Sequence, residues 1–213
     1  MALGTMKGKD IIVMEGRIHP YEGHPHWRCA FYIWVLKELG VNTLILTNAS
    51  GSLNPALRVG QLVVLRDQID LPTFNGGNAL YGLTDKRLNP LTFVPMADAY
   101  DPELRRTLLS CGTAENVPLV EGTYILWGGP TYETVAECRM LRAFGADLVG
   151  MSTTYETVVA RALGIRVACV SLVTDAAPVE YGMAGTTHEE VLHASKDNSE
   201  KFIRLVAAFV ERL

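Results

Sequence analysis

The sequence predicts an α/β protein, a mixed and twisted β-sheet flanked by helices, in one domain spanning residues 1–213. Three observations lead there. Short β-branched runs alternate with helical patterns along the chain. Gly40, Gly145 and Gly164 each stand where a glycine ends a helix and leads into a strand. The 213 residues, 48% of them apolar, suffice for one continuous core, and no internal repeat or low-complexity linker divides it.

Asp10–Met14 is the first expected strand, and a turn-rich stretch separates it from a helix over His26–Leu39. Strands follow at Thr43–Thr47 and Gln61–Arg66. Leu71–Asp98 reads as one long irregular segment, interrupted by Pro72, Gly76, Gly77, Gly82, Pro90 and Pro95. A loop of that length in a compact domain is usually functional or an interface element. Asp101-Pro102 has the pattern of a helix start, opening a helix over Pro102–Glu115. Strands at Thr123–Trp127, Asp147–Met151 and Arg166–Val173 alternate with helices at Glu133–Phe144 and Thr154–Leu163. Thr187 followed by Glu190 forms a capping box for the last helix, His188–Arg212.

A net charge of -4 gives no electrostatic reason to expect nucleic acid or an anionic membrane as partner. Cys29, Cys111, Cys138 and Cys169 are scattered without a CxxC spacing, so buried free thiols are expected. The N-terminal stretch is interrupted by Lys7-Gly8-Lys9-Asp10 and has no signal-type apolar run. No run approaches the roughly 18 apolar residues of a membrane span, so the expected location is the cytoplasm.

Arg17 and His19 follow the first strand, and ligands of open α/β sheets bind beyond the carboxyl ends of strands. Arginine offers a planar fork of donors suited to phosphate, and histidine can bond a hydroxyl or a phosphate oxygen. A surface arginine and a loop histidine are the plainer reading of that pair. His19, His24 and His26 share a turn-rich stretch but are not read as a metal set. The small residues of Thr47-Asn48-Ala49-Ser50-Gly51-Ser52 would let a ligand approach the backbone; a simple strand-to-helix turn fits equally well. In Gly129-Pro130-Thr131-Tyr132-Glu133-Thr134 a carboxylate follows a Gly-Pro turn, where it can be aimed into a cleft or can serve the helix dipole. Gly150-Met151-Ser152-Thr153 ends an apolar stretch in a thioether and two hydroxyls.

Together, Gly16–Gly23, Gly129–Thr134 and Gly150–Thr153 resemble, in spacing and order, the trimeric family of purine nucleoside phosphorylases. The resemblance covers nearly the whole chain and implies the nucleoside-phosphorylase type of sheet. It assigns phosphate to Arg17, His19, Ala49 and Ser152, and packs Tyr132 on the purine face. Glu133 would accept from the ring N1–H, which selects 6-oxopurines, and Met151 would lie along the ribose or base. Tyr21 joins the substrate-binding set, and His188, in Thr187-His188-Glu189-Glu190-Val191, would reach the ribose 5′-hydroxyl. Phe74 would enter a neighbouring subunit's sugar pocket, which implies a homotrimer. His19, Glu133 and Asp175 carry the catalytic roles. The implied reaction is reversible phosphorolysis of purine (2′-deoxy)ribonucleosides, with inorganic phosphate as co-substrate and neither metal nor organic cofactor.

The sequence departs from the family pattern in several places. The family opens with a glycine- and serine-rich phosphate loop and a second histidine segment, and this sequence contains neither, so it reads as N-terminally shortened. Thr154-Tyr155-Glu156 stands where the family usually has Val-Pro-Glu. Asp175 occupies the place of an asparagine in the 6-oxopurine enzymes. An ionised carboxylate repels the N7 and 6-oxo acceptors; protonated, or facing a 6-amino group, it becomes a good partner. Related methylthioadenosine phosphorylases carry aspartate there, so a 6-aminopurine enzyme is one alternative, against which His188 argues. A purine-binding relative without catalysis is the other.

Overall fold

The computed structural model describes residues 1–213. It opens with an antiparallel hairpin of β1 (Ala2–Met6) and β2 (Lys9–Val13). The hairpin turns through Lys7 and Gly8, both at positive φ, as two-residue hairpin loops require. The expected first strand therefore lies outside the main sheet. Its partner β1 was not foreseen, because Ala2-Leu3-Gly4-Thr5-Met6 carries little strand propensity and is almost wholly exposed.

The main sheet is mixed, as expected, and curls until it closes. Its strands are β3 (Thr43–Ser52), β4 (Leu62–Ile69), β5 (Leu119–Leu126), β6 (Leu148–Gly150) and β7 (Arg166–Ala176). The order is β3-β6-β5-β4-β7, with β7 returning to β3. The pairs β3/β7, β4/β5 and β5/β6 are parallel, whereas β4/β7 and β3/β6 are antiparallel.

Both faces of these strands are buried, which is why they read as continuous apolar runs. Val63 and Leu65 of β4 join Val167 and Cys169 of β7 in one cluster. There they meet Ile33, Trp34, Tyr155 and Val159 of α2 (Phe31–Glu38) and α5 (Thr154–Ala162). The alternate residues Leu62, Val64, Ala168 and Val170 pack with Leu104, Leu108, Leu205 and Phe209 of α3 (Pro102–Ala114) and α7 (Ser199–Glu211). A third cluster sets Cys138 and Leu141 of α4 (Val135–Ala143) against Ile125 and Val149. Truncating one such buried leucine costs about 2–5 kcal/mol.

Two expected helices are each two helices. His26–Leu39 breaks at Ala30 into α1 (His26–Cys29) and α2. His188–Arg212 breaks at Asn198 into α6 (His188–Asp197) and α7, and the Asn198 amide donates to the Ala194 carbonyl. The expected caps form: Asp101 accepts from the amides of Glu103 and Leu104, and Thr187 and Glu190 make the reciprocal box. Asp101 also receives the Arg166 guanidinium at 2.7 and 2.8 Å, tying the start of β7 to α3. Leu71–Asp98 holds one 3-10 turn, Leu71–Asn75, and is otherwise irregular. All four cysteines are buried free thiols.

Candidate functional site

The three sequence segments meet at the ends of β3, β6 and β7. Gly129 decides how closely. A β-carbon there would stand 2.5 Å from the Met151 sulfur and 3.2 Å from the Tyr21 ring, and the residue sits at φ +61°. Only glycine combines that conformation with that approach. Tyr21 in turn stacks on His19, with ring centroids 4.7 Å apart and planes 13° from parallel. Thus Gly16–Gly23, Gly129–Thr134 and Gly150–Thr153 share one wall.

Arg17 does not project from the end of a sheet strand, since β2 belongs to the hairpin. It is held instead by groups far off in sequence. Its Nε donates to both oxygens of Glu156 at 2.9 and 3.1 Å, and its Nη1 donates to the Thr47 carbonyl at 2.9 Å. Burial works against the guanidinium charge, but the adjoining Glu156 carboxylate outweighs it and the Arg17 pKa rises. Glu156 is fully buried and also accepts from the Tyr32 hydroxyl at 2.6 Å. Tyr155 donates to the Ile18 carbonyl at 3.1 Å. The departure from Val-Pro-Glu therefore leaves the start of α5 in place and adds a brace on the Arg17–His19 segment. His19 is held by Glu22, whose carboxylate accepts from its backbone at 2.8 Å and lies 3.2 Å from its Nδ1.

Asn48–Ser52, read either as a segment open to a ligand or as a strand-to-helix turn, continues β3 and pairs with β7, with a bulge between Ser50 and Gly51. Ala49 is exposed on this strand. Beside it Asn48 donates to the Thr153 hydroxyl at 2.8 Å, and Ser152 and Thr153 share a hydroxyl contact at 3.1 Å. Thr153 is fully buried at φ 76°, ψ -47°, and the Thr154 amide reaches back to the Ser152 carbonyl at 2.9 Å. That is a γ-turn with a β-branched residue at its centre, a strained arrangement of the kind that clusters at functional sites. The Asn48 side-chain oxygen is buried without a partner.

The Asp175 carboxylate lies close enough to Glu133 for its charge to be felt there. Glu133 precedes the cap residue Thr134, so it lies outside α4. Burial pushes its carboxyl up to about 7; a hydrogen bond to its own backbone opposes this, and Asp175 and Glu137 add to it. Tyr132 is raised too, by burial first and then by Asp175, Glu133 and Tyr21, which puts its ring amid the same groups. Asp175 accepts from Thr174 at 2.9 Å and from Thr186 at 2.6 Å.

His188 begins α6, two residues beyond Thr186, and is exposed. Phe74 is 70% exposed in the 3-10 turn. Two surface cavities touch the site only at its margins. One of about 800 Å³ includes Asp175 and Thr186 and is otherwise walled largely by α6 and its surroundings. One of about 580 Å³ reaches Arg17 and Tyr32 beside Trp27 and Phe31. Convergence of side chains, and not cavity size, marks the site. No group of three or more His, Cys, Asp or Glu is arranged to hold a metal, and no helix is long and apolar enough to cross a membrane.

Residues 1–211 match the profile of the phosphorylase superfamily. The chain belongs to that family. Within the superfamily it falls among the purine nucleoside phosphorylases. It is 44% identical to the purine nucleoside phosphorylase of Bos taurus over 210 residues, which is 97% of this chain and 72% of that one. Among solved structures, a schistosoma purine nucleoside phosphorylase in complex with hypoxanthine superposes with a TM-score of 0.95 at 38% identity. It is covered to 76%, and this chain to 99%. A Schistosoma mansoni purine nucleoside phosphorylase in complex with adenosine matches with the same score, identity and coverage. The fold of this phosphorylase family, a mixed sheet with flanking helices, is the fold described above.

Sequence reasoning missed Tyr32, Thr186 and the strained Thr153. The bonds of Tyr32 and Thr186 join residues 124 and 11 positions apart, and neither has a local signature. The change to Thr154-Tyr155-Glu156 was the one visible sign of the altered support behind Arg17.

Proposed function

We propose that this phosphorylase cleaves purine ribo- and 2′-deoxyribonucleosides reversibly, with inorganic phosphate as second substrate and 6-oxopurines preferred. One observation supports the reading most: a β-carbon at Gly129 would meet Met151 and Tyr21, so the segments read as phosphate-, sugar- and base-binding pack against one another. Arg17, His19, Ala49 and Ser152 hold phosphate. With Nε on Glu156 and one Nη1 hydrogen on the Thr47 carbonyl, the second Nη1 hydrogen and both Nη2 hydrogens of Arg17 remain for an anion. Tyr21 and Met151 line the sugar, His188 meets its 5′-hydroxyl, and Tyr132 covers the base.

In the reaction a phosphate oxygen bonds C1′ on the face opposite the base while the C1′–N9 bond breaks. Its electron pair passes into the purine. Glu133 accepts the N1–H of a 6-oxopurine and so holds the ring as negative charge builds on it. Positioning of the two reactants supplies much of the remaining acceleration. No metal or organic cofactor enters these steps.

Asp175 favours a second substrate class. With Thr174 and Thr186 donating to it, its free lone pairs suit the 6-amino group of adenosine. The assembly is a homotrimer in which Phe74 enters a neighbour's sugar pocket; its exposure, shared by Tyr81 and Phe93 of the same segment, supports this. The enzyme works in the cytoplasm, where its buried thiols stay reduced. Phosphate-dependent release of hypoxanthine from inosine tests the whole reading. Absence of release at millimolar phosphate would reduce the chain to a purine-binding relative.

A further inference from the structure

Asp175 is confined on three sides. Thr174, its neighbour in β7, shares one hydroxyl hydrogen between the Asp175 Oδ1 at 2.9 Å and the Ser50 carbonyl at 3.3 Å. Thr186 has a single acceptor, the Asp175 Oδ2 at 2.6 Å, so its hydrogen is committed there. On the remaining side lies the backbone of Gly51, where a β-carbon would stand 2.9 Å from the same Oδ2. The carboxyl group can neither rotate toward β3 nor swing away without losing a bond.

Both oxygens of Asp175 therefore already serve as acceptors in a fixed orientation. Each carboxylate oxygen carries two lone-pair positions, so one on each remains open. Glu133, the nearby carboxyl, has no hydroxyl donor. It is faced by Asp175 of β7, by Glu137 and Cys138 of α4 and by Tyr132. No cation stands among these groups. The two carboxyls are thus unequal: one is fixed as an acceptor, and the other is free to carry or release a proton.

We propose that Thr186 is the positioning residue for base selection: it locks Asp175 as the acceptor for a 6-amino group and leaves Glu133 to exchange the N1 proton. With adenosine, Asp175 accepts from the 6-amino group while protonated Glu133 donates to N1. With inosine, ionised Glu133 accepts the N1–H, and the locked Asp175 opposes the 6-oxo group. The same pocket takes both nucleosides, and Thr186 sets their ratio. Because Thr186 precedes the cap of α6 and His188, the bond also joins base reading to the segment that meets the sugar.

This inference rests on the phosphorylase reading of the site, and the test separates the two. Thr186→Val keeps the shape and removes the donor. The kcat/KM ratio of adenosine to inosine should fall about tenfold, the scale of one hydrogen bond to a charged group. Thr186→Ser should restore the ratio. In an Asp175→Asn background Thr186→Val should leave the ratio unmoved, because the group it locks is gone. A ratio unchanged in Thr186→Val, or equal losses on both nucleosides, overturns the role of Thr186 and leaves the phosphorylase reading standing. A wild-type chain that cleaves neither nucleoside overturns that reading, and this inference falls with it. Should Thr186→Val not fold, Thr186→Ala, which also removes the donor to Asp175 Oδ2, decides: the ratio must again fall about tenfold, and an unchanged ratio overturns the proposal.

Discussion

Glu133 shows how a half-buried carboxyl costs stability. Its folded pKa, about 7, is above the usual 4.5, so between those values the native chain holds a proton that the unfolded chain has released. Stability from this group is therefore fullest below about 4.5 and is lost as pH rises through 7. The shift corresponds to about 2 kcal/mol once solvent screening is allowed for. Glu133→Gln should accordingly raise the unfolding free energy from urea titration at pH 8 by that amount and change it little at pH 4.5, while abolishing the preference for inosine. A variant that is no more stable at pH 8 than the wild type would show that Glu133 is not held under strain. The strand and glycine signals around this residue made the motif readable in sequence. The nearness of Asp175 was not, because Asp175 lies 42 positions away on another strand and only folding brings it near.

At the scale of elements, α5 and α2 act as the mount for Arg17. α5 supplies Glu156 and Tyr155, and α2 supplies Tyr32, whose hydroxyl ends 2.6 Å from the same carboxylate. Burial first and Glu156 second hold the Tyr32 phenol well above its ordinary range, so it remains a donor throughout the working pH. Tyr32→Phe should leave Glu156 short of a bond and cost about 1–3 kcal/mol of stability. It should raise the phosphate KM several-fold with a smaller effect on kcat, measured by initial rates at saturating inosine. A change confined to the nucleoside KM would disconnect Tyr32 from Arg17. Helices and strands with a cap or a glycine stop, such as Asp101-Pro102 and Gly164, were legible because their signals are local. The breaks at Ala30 and Asn198 were not, because the apolar pattern runs through both. β3 was read five residues short, since the small polar residues Asn48–Ser52 look like a turn until β7 pairs with them.

For the whole molecule, the barrel strands and the helices packed on them share the buried core, yet several large aromatics remain outside it. Phe74, Tyr81 and Phe93, all in the irregular segment, are 70%, 77% and 89% exposed. Three such rings on one segment are more than a solitary surface residue and fit a contact with another copy. Phe74→Ser should weaken assembly, seen as a lower mass by light scattering at micromolar concentration, and raise the nucleoside KM. A wild-type monomer with undiminished activity would exclude a shared site. The four thiols supply a different view of the intact molecule. Cys29, Cys111, Cys138 and Cys169 are buried in α1, α3, α4 and β7, so each is reachable by a reagent only when its own element opens. Burial, the leading cause in each case, also keeps them protonated: Cys29 and Cys138 are held at about 11, and Cys111 and Cys169 are raised as well. The chain thus carries four built-in clocks, whose labelling rates rank how often the helical layers and the barrel strand part from one another.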